Sequence, residues 1–559
     1  MTALMNKMAT YMLLLTVLVS CAPQIAEETP PLVPLIPPQV EAPGPGGMPL
    51  EPLYPAIQPY EPSDDELDIM LRELRGAFDF FWLTANSEQG SPGFGLIPDR
   101  MPAGPGISSI ASVGYGLAAI CIGVERGWIT REEGAERVMG TFVTLRDNVE
   151  GHRGFFYHFL DIKSAKRVWN CELSVIDTAI CMNGVLFAGE YFGGEIKELA
   201  HKLYERVEWD WYVNPVTQQF YMGWNNDRFE GAWDVPSEQF MMYFLGSGSP
   251  TFPTDGDLFY RFRRPVGRYG SFPDYHYSYI NPLFVFQFSH AWYDLRNMED
   301  TAGIDWYKNS VVAVLGNRQY GIDNAERYAT GVNDWGFSAC DGPGGYSGNY
   351  GAPPSMGTLR NDGTVAAYGA AGSIPFMPRH AVPALVHQYG ITGLTGEYGL
   401  KDAYNLKENW IARDTIGIDK GVAMLMIENY LTGFIWELMG SIPAVQKGIE
   451  ACELSRIENT SGLLYGAVLG GGRNVGDLLS VEYELYGADG ILDISWFVSS
   501  DAAGADPVAV SGATDRDYII RPEDNDKFIF AVVTPTVIKD GQYVGLPGVR
   551  SNLTPRILP

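Results

Sequence analysis

SSIASVGYGLAAICIGV at residues 108–124, followed by TREEGAERVMGTFVTLR at 130–146, is the pair of segments that decides the fold. The first is apolar or small on every side, the composition of a helix with no solvent face. The second carries charge along one side, as an outer helix does. The alternation repeats, with a buried segment at 173–192 and a polar-faced one at 195–207. Upstream, Ser63-Asp64-Asp65-Glu66 reads as a capping box, and Leu67, Leu71, Leu74, Phe78 and Phe81 follow at helical spacing. Downstream, residues 284–296, 364–371, 379–389 and 421–436 read as further helices, separated by long Gly/Asn/Pro-rich loops. Buried helices alternating with amphipathic ones over residues 63–455 predict a mainly α fold, an α/α barrel whose loops at one end build a site.

Both ends of the chain differ in texture. From residue 460 to 559, apolar residues alternate along short runs (Leu479, Val481, Tyr483, Leu485; Ile494, Trp496, Val498; Phe528, Phe530, Val532) between Gly/Asp/Asn turns. This predicts a small immunoglobulin-like β-sandwich with Trp496 in its core. At the other end, Lys7 precedes an apolar run from Tyr11 to Val19, and Leu18-Val19-Ser20-Cys21 resembles a lipobox. Residues 1–21 therefore read as a lipoprotein signal peptide with Cys21 lipidated, anchoring the chain to a membrane of the bacterial cell envelope; an ordinary signal peptide is the other reading. Ala22 suits outer-membrane sorting, and the Pro-rich residues 22–62 read as a tether.

Lys+Arg number 39 against 67 Asp+Glu, a net charge of −28. That argues against nucleic acid or an anionic membrane surface as a partner. The six cysteines form no CxxC, and neither HExxH nor another zinc spacing occurs. We expect no cofactor and no catalytic metal, with a carboxylate-held calcium left open. The thiols are expected to be mostly buried, with one disulfide possible.

Chemistry concentrates in WDWYVNPVTQQFYMGWNNDRFEGAWDVPSEQFMMYFLGSGSP at 209–250. Aromatics crowd it, Trp224 and Trp233 among them. A single acid, Glu238, then opens the apolar run from Phe240 to Leu245, which Gly246, Gly248 and Pro250 close. Rings that stack on pyranose faces beside a carboxyl that protonates a leaving oxygen are what sugar hydrolysis requires. The plainer reading is a helix cap beside core aromatics. In NCELSVIDTAICMNGVLFAG (170–189), Glu172 and Asp177 are the only charges. A carboxylate there needs a hydrogen-bond partner or a polar cavity, so Asp177 faces the cleft or braces a loop. Asp419 opens another apolar helix, with Glu428 in its middle. Asp402, Asp341 and Asp362 sit in loops, where Asp362 reads as an Asx turn. No GxSxG occurs, and neither His290 nor His380 has an evident nucleophile partner. Carboxylate acid/base chemistry remains.

The ordered segments FYHFLD (156–161), NCELSVIDTA (170–179), WDWYVNP (209–215), YMGW (221–224), QFSHAWYDLR (287–296), WGFSACDGP (335–343), DGT…GSIPF (362–376), YGLKDAYN (398–405) and GIDKG…MIENY (417–430) together resemble glycoside hydrolase family 144, the bacterial glycoamylase-like domain. The resemblance implies an (α/α)6 barrel and hydrolysis of β-1,2-glucan, usually endo with release of sophorose and short oligosaccharides; some members are exo. It places the general acid on Glu238, although WDVPSE (233–238) departs from the family's WxxYxE at Pro236 and Ser237. An inverting reaction implies a second, more distant carboxylate, for which Asp419 and Asp402 are the candidates. It leaves Glu172, Asp177, Asp161, Asp341, Trp224, Trp233, Trp335 and His290 to shape the subsites, while Arg379 stands where an acidic residue is expected. A glycan-binding lipoprotein with the same barrel, or a transglycosylase, is the alternative.

Overall fold

Ser63 starts the first helix as its sequence predicts. Its hydroxyl accepts the Glu66 amide, and the Glu66 carboxylate accepts the Ser63 N–H in return. The computed structural model describes residues 60–559, apart from 271, 273, 297, 457–462, 487–489, 540–541, 546–548 and 552. The expected signal peptide, with Cys21, and the expected tether up to residue 59 lie outside the described residues.

In chain order, the helices that frame the barrel are α1 (Asp64–Thr84), α2 (Ile110–Glu125), α3 (Arg131–Asp147), α4 (Val175–Phe192), α5 (Gly194–Glu205), α6 (Phe240–Gly248), α7 (Phe288–Trp292), α8 (Trp306–Asp323), α9 (Tyr368–Ala371), α10 (Pro378–Tyr389), α11 (Gly417–Leu431), α12 (Phe434–Ser441) and α13 (Pro443–Ala451). Almost every residue of α2, α4, α6, α7, α9 and α11 is buried, so these are inner helices. α1, α3, α5 and α10 bury one face each. Small residues let the inner helices touch backbone to backbone. A methyl at Gly114 of α2 would stand 2.4 Å from the Ile180 carbonyl oxygen of α4, and one at Gly184 would stand 2.1 Å from the Gly114 oxygen. Any larger residue at either glycine would force the two helices apart.

Short strands feed the N-termini of the inner helices. Ile107–Ser109 pairs with Phe159–Asp161 just before α2. Leu173–Ser174 pairs on both sides, with Phe156–Tyr157 and with Gly223–Trp224, just before α4. Thr415–Ile416 pairs with Arg100–Met101 before α11. These ladders explain where the helices fall short of the sequence reading. Residues 170–174 are not helical, because sheet hydrogen bonds hold Leu173 and Ser174; Glu172 therefore precedes the helix. Residues 364–371 likewise open with a strand pair, Val365–Ala366 on Ala403–Tyr404. Gly433, in the left-handed region at φ 73°, splits the predicted 421–436 helix into α11 and α12. The predicted 284–296 helix shrinks to a 3₁₀ turn and α7, with Tyr293 already extended.

An ion pair ties α1 to α11. Glu73 and Lys420 are both buried and in contact, and Glu73 Oε2 also accepts from the Tyr389 hydroxyl (2.8 Å) and the Leu400 amide (2.9 Å). Removing one member of such a pair strands the other charge without solvent. Glu73→Ala is expected to cost about 3–5 kcal/mol, read as a lower urea midpoint at unchanged slope. An unchanged midpoint would show that Lys420 finds other solvation.

Beyond residue 462 the described chain is β. Leu463–Gly471, Leu478–Tyr486 and Asp517–Ile519 form one antiparallel sheet, and Gly490–Ser499 and Phe528–Lys539 lead another. Their shared core holds Val481, Ile494, Trp496 and Ile529, with Trp496 stacked on Tyr518 at 5.0 Å. On the long strand the core face is Ile529, Ala531 and Val533; Phe530 lies on the other face, stacked on Phe497. Cys121, Cys171, Cys181, Cys340 and Cys452 are free, buried thiols. No helix among the described residues is long and apolar enough to cross a membrane.

Candidate active site

The N-termini of α4, α6 and α11 converge, and each brings a carboxylate. The positive end of a helix favours a negative group, and each acid is additionally positioned by its local chain. Asp177 is the third residue of α4. Its amide donates to the Ser174 hydroxyl (3.2 Å), and that hydroxyl donates back to Asp177 Oδ2. Glu238 stands in the turn entering α6, where the Ser237 hydroxyl donates to its Oε2 and Ser289 donates to its carbonyl (2.8 Å). Asp419 is the third residue of α11. Asp402 joins it from the loop before, accepting the Asp341 amide at 2.6 Å. All four carboxyls are at least nine-tenths buried. Tyr115 of α2 lies against them: its buried phenol feels Asp419, Glu238 and Asp177. Gly421 makes room for its ring, since a methyl there would meet Tyr115 Cγ at 2.1 Å.

Burial sets the protonation of this group. It pushes Glu238 up to about 7, with nearby Asp177 adding to the shift against the Ser237 hydrogen bond. Burial likewise raises Asp177. Asp402 and Asp419 share a hydrogen bond; burial and their mutual repulsion push Asp419 well up, and burial lifts Asp402 to about 7. Such a pair holds one proton between its members at neutral pH. Asp402 Oδ1 and Asp419 Oδ2 have no other partner.

A more open tier lies outward. Arg100 donates to both oxygens of Asp341 (3.1 Å each) and to Asp99 (3.1 Å), with Asp414 at 3.8 Å. His158 bridges two acids, Nδ1 at 2.8 Å from Glu172 and Nε2 at 3.7 Å from Asp177. Each of His158, Glu172 and Asp177 could offer one atom to a cation. The two ring nitrogens face different carboxylates, however, which is the arrangement of an imidazolium between anions. Burial alone would lower His158, but Asp177, the hydrogen bond to Glu172 and Asp99 outweigh it and raise the imidazole to about 9. Its folded pKa exceeds its unfolded value near 6.5, so its stabilisation is complete below pH 6.5 and lost as pH rises through 9. His158→Gln is expected to remove up to about 3 kcal/mol of stability at pH 6 and little at pH 10, read by urea denaturation across that range. An equal loss at both ends would show that the ring only fills space.

The predicted site residues divide cleanly. The structure brings Glu238, Asp177, Asp402 and Asp419 together, with Glu172 and Asp341 in the outer tier. Trp224 is half-buried, stacked on His152 at 5.3 Å, and paired across the sheet with Leu173. The others do not face the mouth. Asp161 is spent on its own loop, accepting the Lys163 and Ser164 amides. Trp335 is fully buried against Gly321 of α8, and Trp233 is buried in the core cluster. His290 is buried with Nε2 on Ser310 (2.9 Å), and burial lowers it to about 3, so it stays neutral. Glu428 pairs with Arg126 (2.8 Å). Asp362 makes the Asx turn its sequence suggests, accepting the Thr364 amide. Sequence reasoning missed Asp99, Arg100, Tyr115 and His158; for His158 the one signal was its place inside FYHFLD.

A family model described as "Putative glucoamylase" matches residues 230–443. A curated relative from Parabacteroides distasonis, an exo β-1,2-glucooligosaccharide sophorohydrolase (non-reducing end), is 28% identical over 70% of this chain. The chain spans 58% of that relative's length. Among solved structures, an endo-β-1,2-glucanase from Chitinophaga pinensis in complex with sophorotriose and glucose is 25% identical, with TM-score 0.64 over 70% of this chain and 98% of its own. A β-1,2-glucanase from Parabacteroides distasonis is 26% identical, with TM-score 0.62 over 70% of this chain and 60% of its own. The helical barrel, with its acids at the inner-helix N-termini, is thus similar to proteins that act on β-1,2-glucan.

Proposed function

We propose that the protein is a glycoside hydrolase that cleaves β-1,2-glucan by inverting acid/base catalysis on an (α/α)6 barrel. The observation that carries this is Glu238. Burial holds its carboxyl near the protonation midpoint at neutral pH, and Tyr115 feels both Glu238 and Asp419, a member of a second, proton-sharing carboxyl pair. Glu238 gives its proton to the glycosidic oxygen as the C1–O bond breaks. The ionised member of the Asp402–Asp419 pair takes the proton of the water that attacks C1 from the opposite face. Asp177, Glu172 and His158 hold the neighbouring field, and Arg100 fixes Asp341 and hence Asp402.

Similarity to β-1,2-glucan-acting proteins over 70% of this chain supports the substrate. We favour internal cleavage, the endo action by which the neighbour of nearly full coverage is named, with release of sophorose and short oligosaccharides from this protein's substrate. The N-terminal lipobox-like sequence supports a lipid anchor at Cys21 in the cell envelope, and the β region reads as an immunoglobulin-like accessory module. The test is incubation of residues 22–559 with linear β-1,2-, β-1,3- and β-1,4-glucans, with products separated by thin-layer chromatography. Short products from the β-1,2 polymer alone are expected. Binding without cleavage would leave a glycan-binding protein, and longer products than the starting chains would mark a transglycosylase.

A further inference from the structure

One aromatic near the mouth plays no part in the core or in the acid cluster. Trp169 is 59% exposed. It lies three residues before Glu172, on the loop that enters the strand feeding α4. Its ring meets the edge of Phe159 at 5.4 Å, and Phe159 stacks on His158 at 3.8 Å. His158 is the imidazole that bridges Glu172 and Asp177. A ladder of three rings therefore runs from solvent to the acidic centre.

The loop carrying Trp169 is fixed. Arg167 donates to the Cys171 carbonyl (2.7 Å) and to Asn225 Oδ1 (2.6 Å), and its guanidinium lies 4.3 Å over the Tyr157 ring. Asn225 donates in turn to the Asn170 carbonyl at 3.1 Å. Trp169 and Asn170 both adopt left-handed backbone, at φ 57° and 54°. A bulky aromatic is a poor choice there, since glycine or asparagine meets the same backbone at lower cost. The position thus holds a large apolar ring in water, on strained backbone, in a rigid loop. Stability does not ask for any of the three.

We propose that Trp169 is a sugar-stacking platform, a rim subsite that takes the apolar face of a glucosyl residue of the bound chain some units away from the scissile bond. The proposal rests on the glucan-hydrolase reading above. An exposed flat ring held in place loses little entropy on binding and offers a pyranose face a dry contact. Because the contact lies outside the acid cluster, it binds ground state and transition state alike, so its loss falls on KM rather than on kcat.

The test compares wild type, Trp169→Gly and Trp169→Tyr on long linear β-1,2-glucan and on the shortest β-1,2-gluco-oligosaccharide that wild type cleaves. Glycine suits the left-handed backbone, and tyrosine keeps a flat ring. Trp169→Gly is expected to raise KM for the long chain about three- to tenfold, with a smaller effect on the short one. Trp169→Tyr is expected to restore most of the loss, and the glycine variant to melt no lower than wild type. An unchanged KM on long glucan, an equal loss at both lengths, or a lowered melting temperature would overturn the platform. If wild type cleaves no glucan, the hydrolase reading fails on its own account. Affinity electrophoresis in β-1,2-glucan gels then decides the platform separately: retardation that Trp169→Gly weakens keeps it, and unchanged or absent retardation overturns it.

Discussion

Glu238→Gln is expected to lower kcat on β-1,2-glucan by about 10²- to 10⁴-fold while the fold is kept. The glutamine matches the carboxyl in shape and still meets the Ser237 hydroxyl, but it has no proton to give. The wild-type acid sits near pKa 7 because burial penalises its charged form. Its protonated fraction therefore falls as pH rises through 7, and wild-type kcat/KM should fall with it on the alkaline side. The variant should lose that limb of the profile. A stability check separates chemistry from misfolding. A carboxyl whose folded pKa is raised contributes stability present below its ordinary value and lost as pH rises through about 7. At pH 8 the variant should thus melt no lower than wild type. Wild-type-like turnover would end the assignment of Glu238 as acid.

The second large effect concerns the pair of acids on the other side of the site. Asp419→Asn and Asp402→Asn are each expected to lower kcat by about 10²- to 10⁴-fold. In the proposed mechanism Asp402 and Asp419, both raised and coupled, share one proton, which makes the pair the base and not either residue alone. Two consequences follow in the kinetics. The double variant should be little worse than the worse single one, because residues that act as a unit are not additive. The acid limb of the wild-type profile should also belong to the pair, since one ionised carboxylate is needed to draw a proton from water. Additive losses on a logarithmic scale, or a single variant with near wild-type turnover, would mean that the two act separately and that water is activated elsewhere.

Much of the barrel was legible because it rests on local rules. The Ser63–Glu66 capping box, the apolar stripe from Leu67 to Phe81 and the all-apolar composition of α2 and α4 each point one way, and each is found. α8 was not seen. Its sequence, WYKNSVVAVLGNRQYGID, mixes β-branched residues and glycines that score poorly as helix, and tertiary packing overrides them. The Asp305 side chain capping the Lys308 amide was the available clue. Helix starts were misjudged wherever a strand pair claims the entering residues, as at Leu173–Ser174, because ladder partners distant in sequence leave no local mark.

The site was legible as a set of isolated acids in apolar surroundings, which is how Glu238, Asp177 and Asp419 stand out. Their convergence was not, nor was the pairing of Asp402 with Asp419, since both depend on segments distant in sequence meeting in the fold. Aromatics were the least reliable guide. Trp335 and Trp233 read like stacking platforms but are core, whereas Trp169, exposed beside Glu172, carried no distinguishing sequence signal. Composition reports that a ring is present; only burial reports which way it faces.

A buried acid and a distal, proton-sharing pair acting on a β-1,2-glucan should cleave it with inversion. The measurement that meets this expectation most directly is proton NMR of linear β-1,2-glucan during the first minutes of digestion by the purified protein, resolving the anomer of each new reducing end before mutarotation. With inversion, α-anomeric ends appear first and relax afterwards toward the equilibrium mixture. β-anomeric ends appearing first would require a covalent intermediate and would contradict the roles given to Asp402 and Asp419, and no new reducing ends at all would contradict the hydrolase itself.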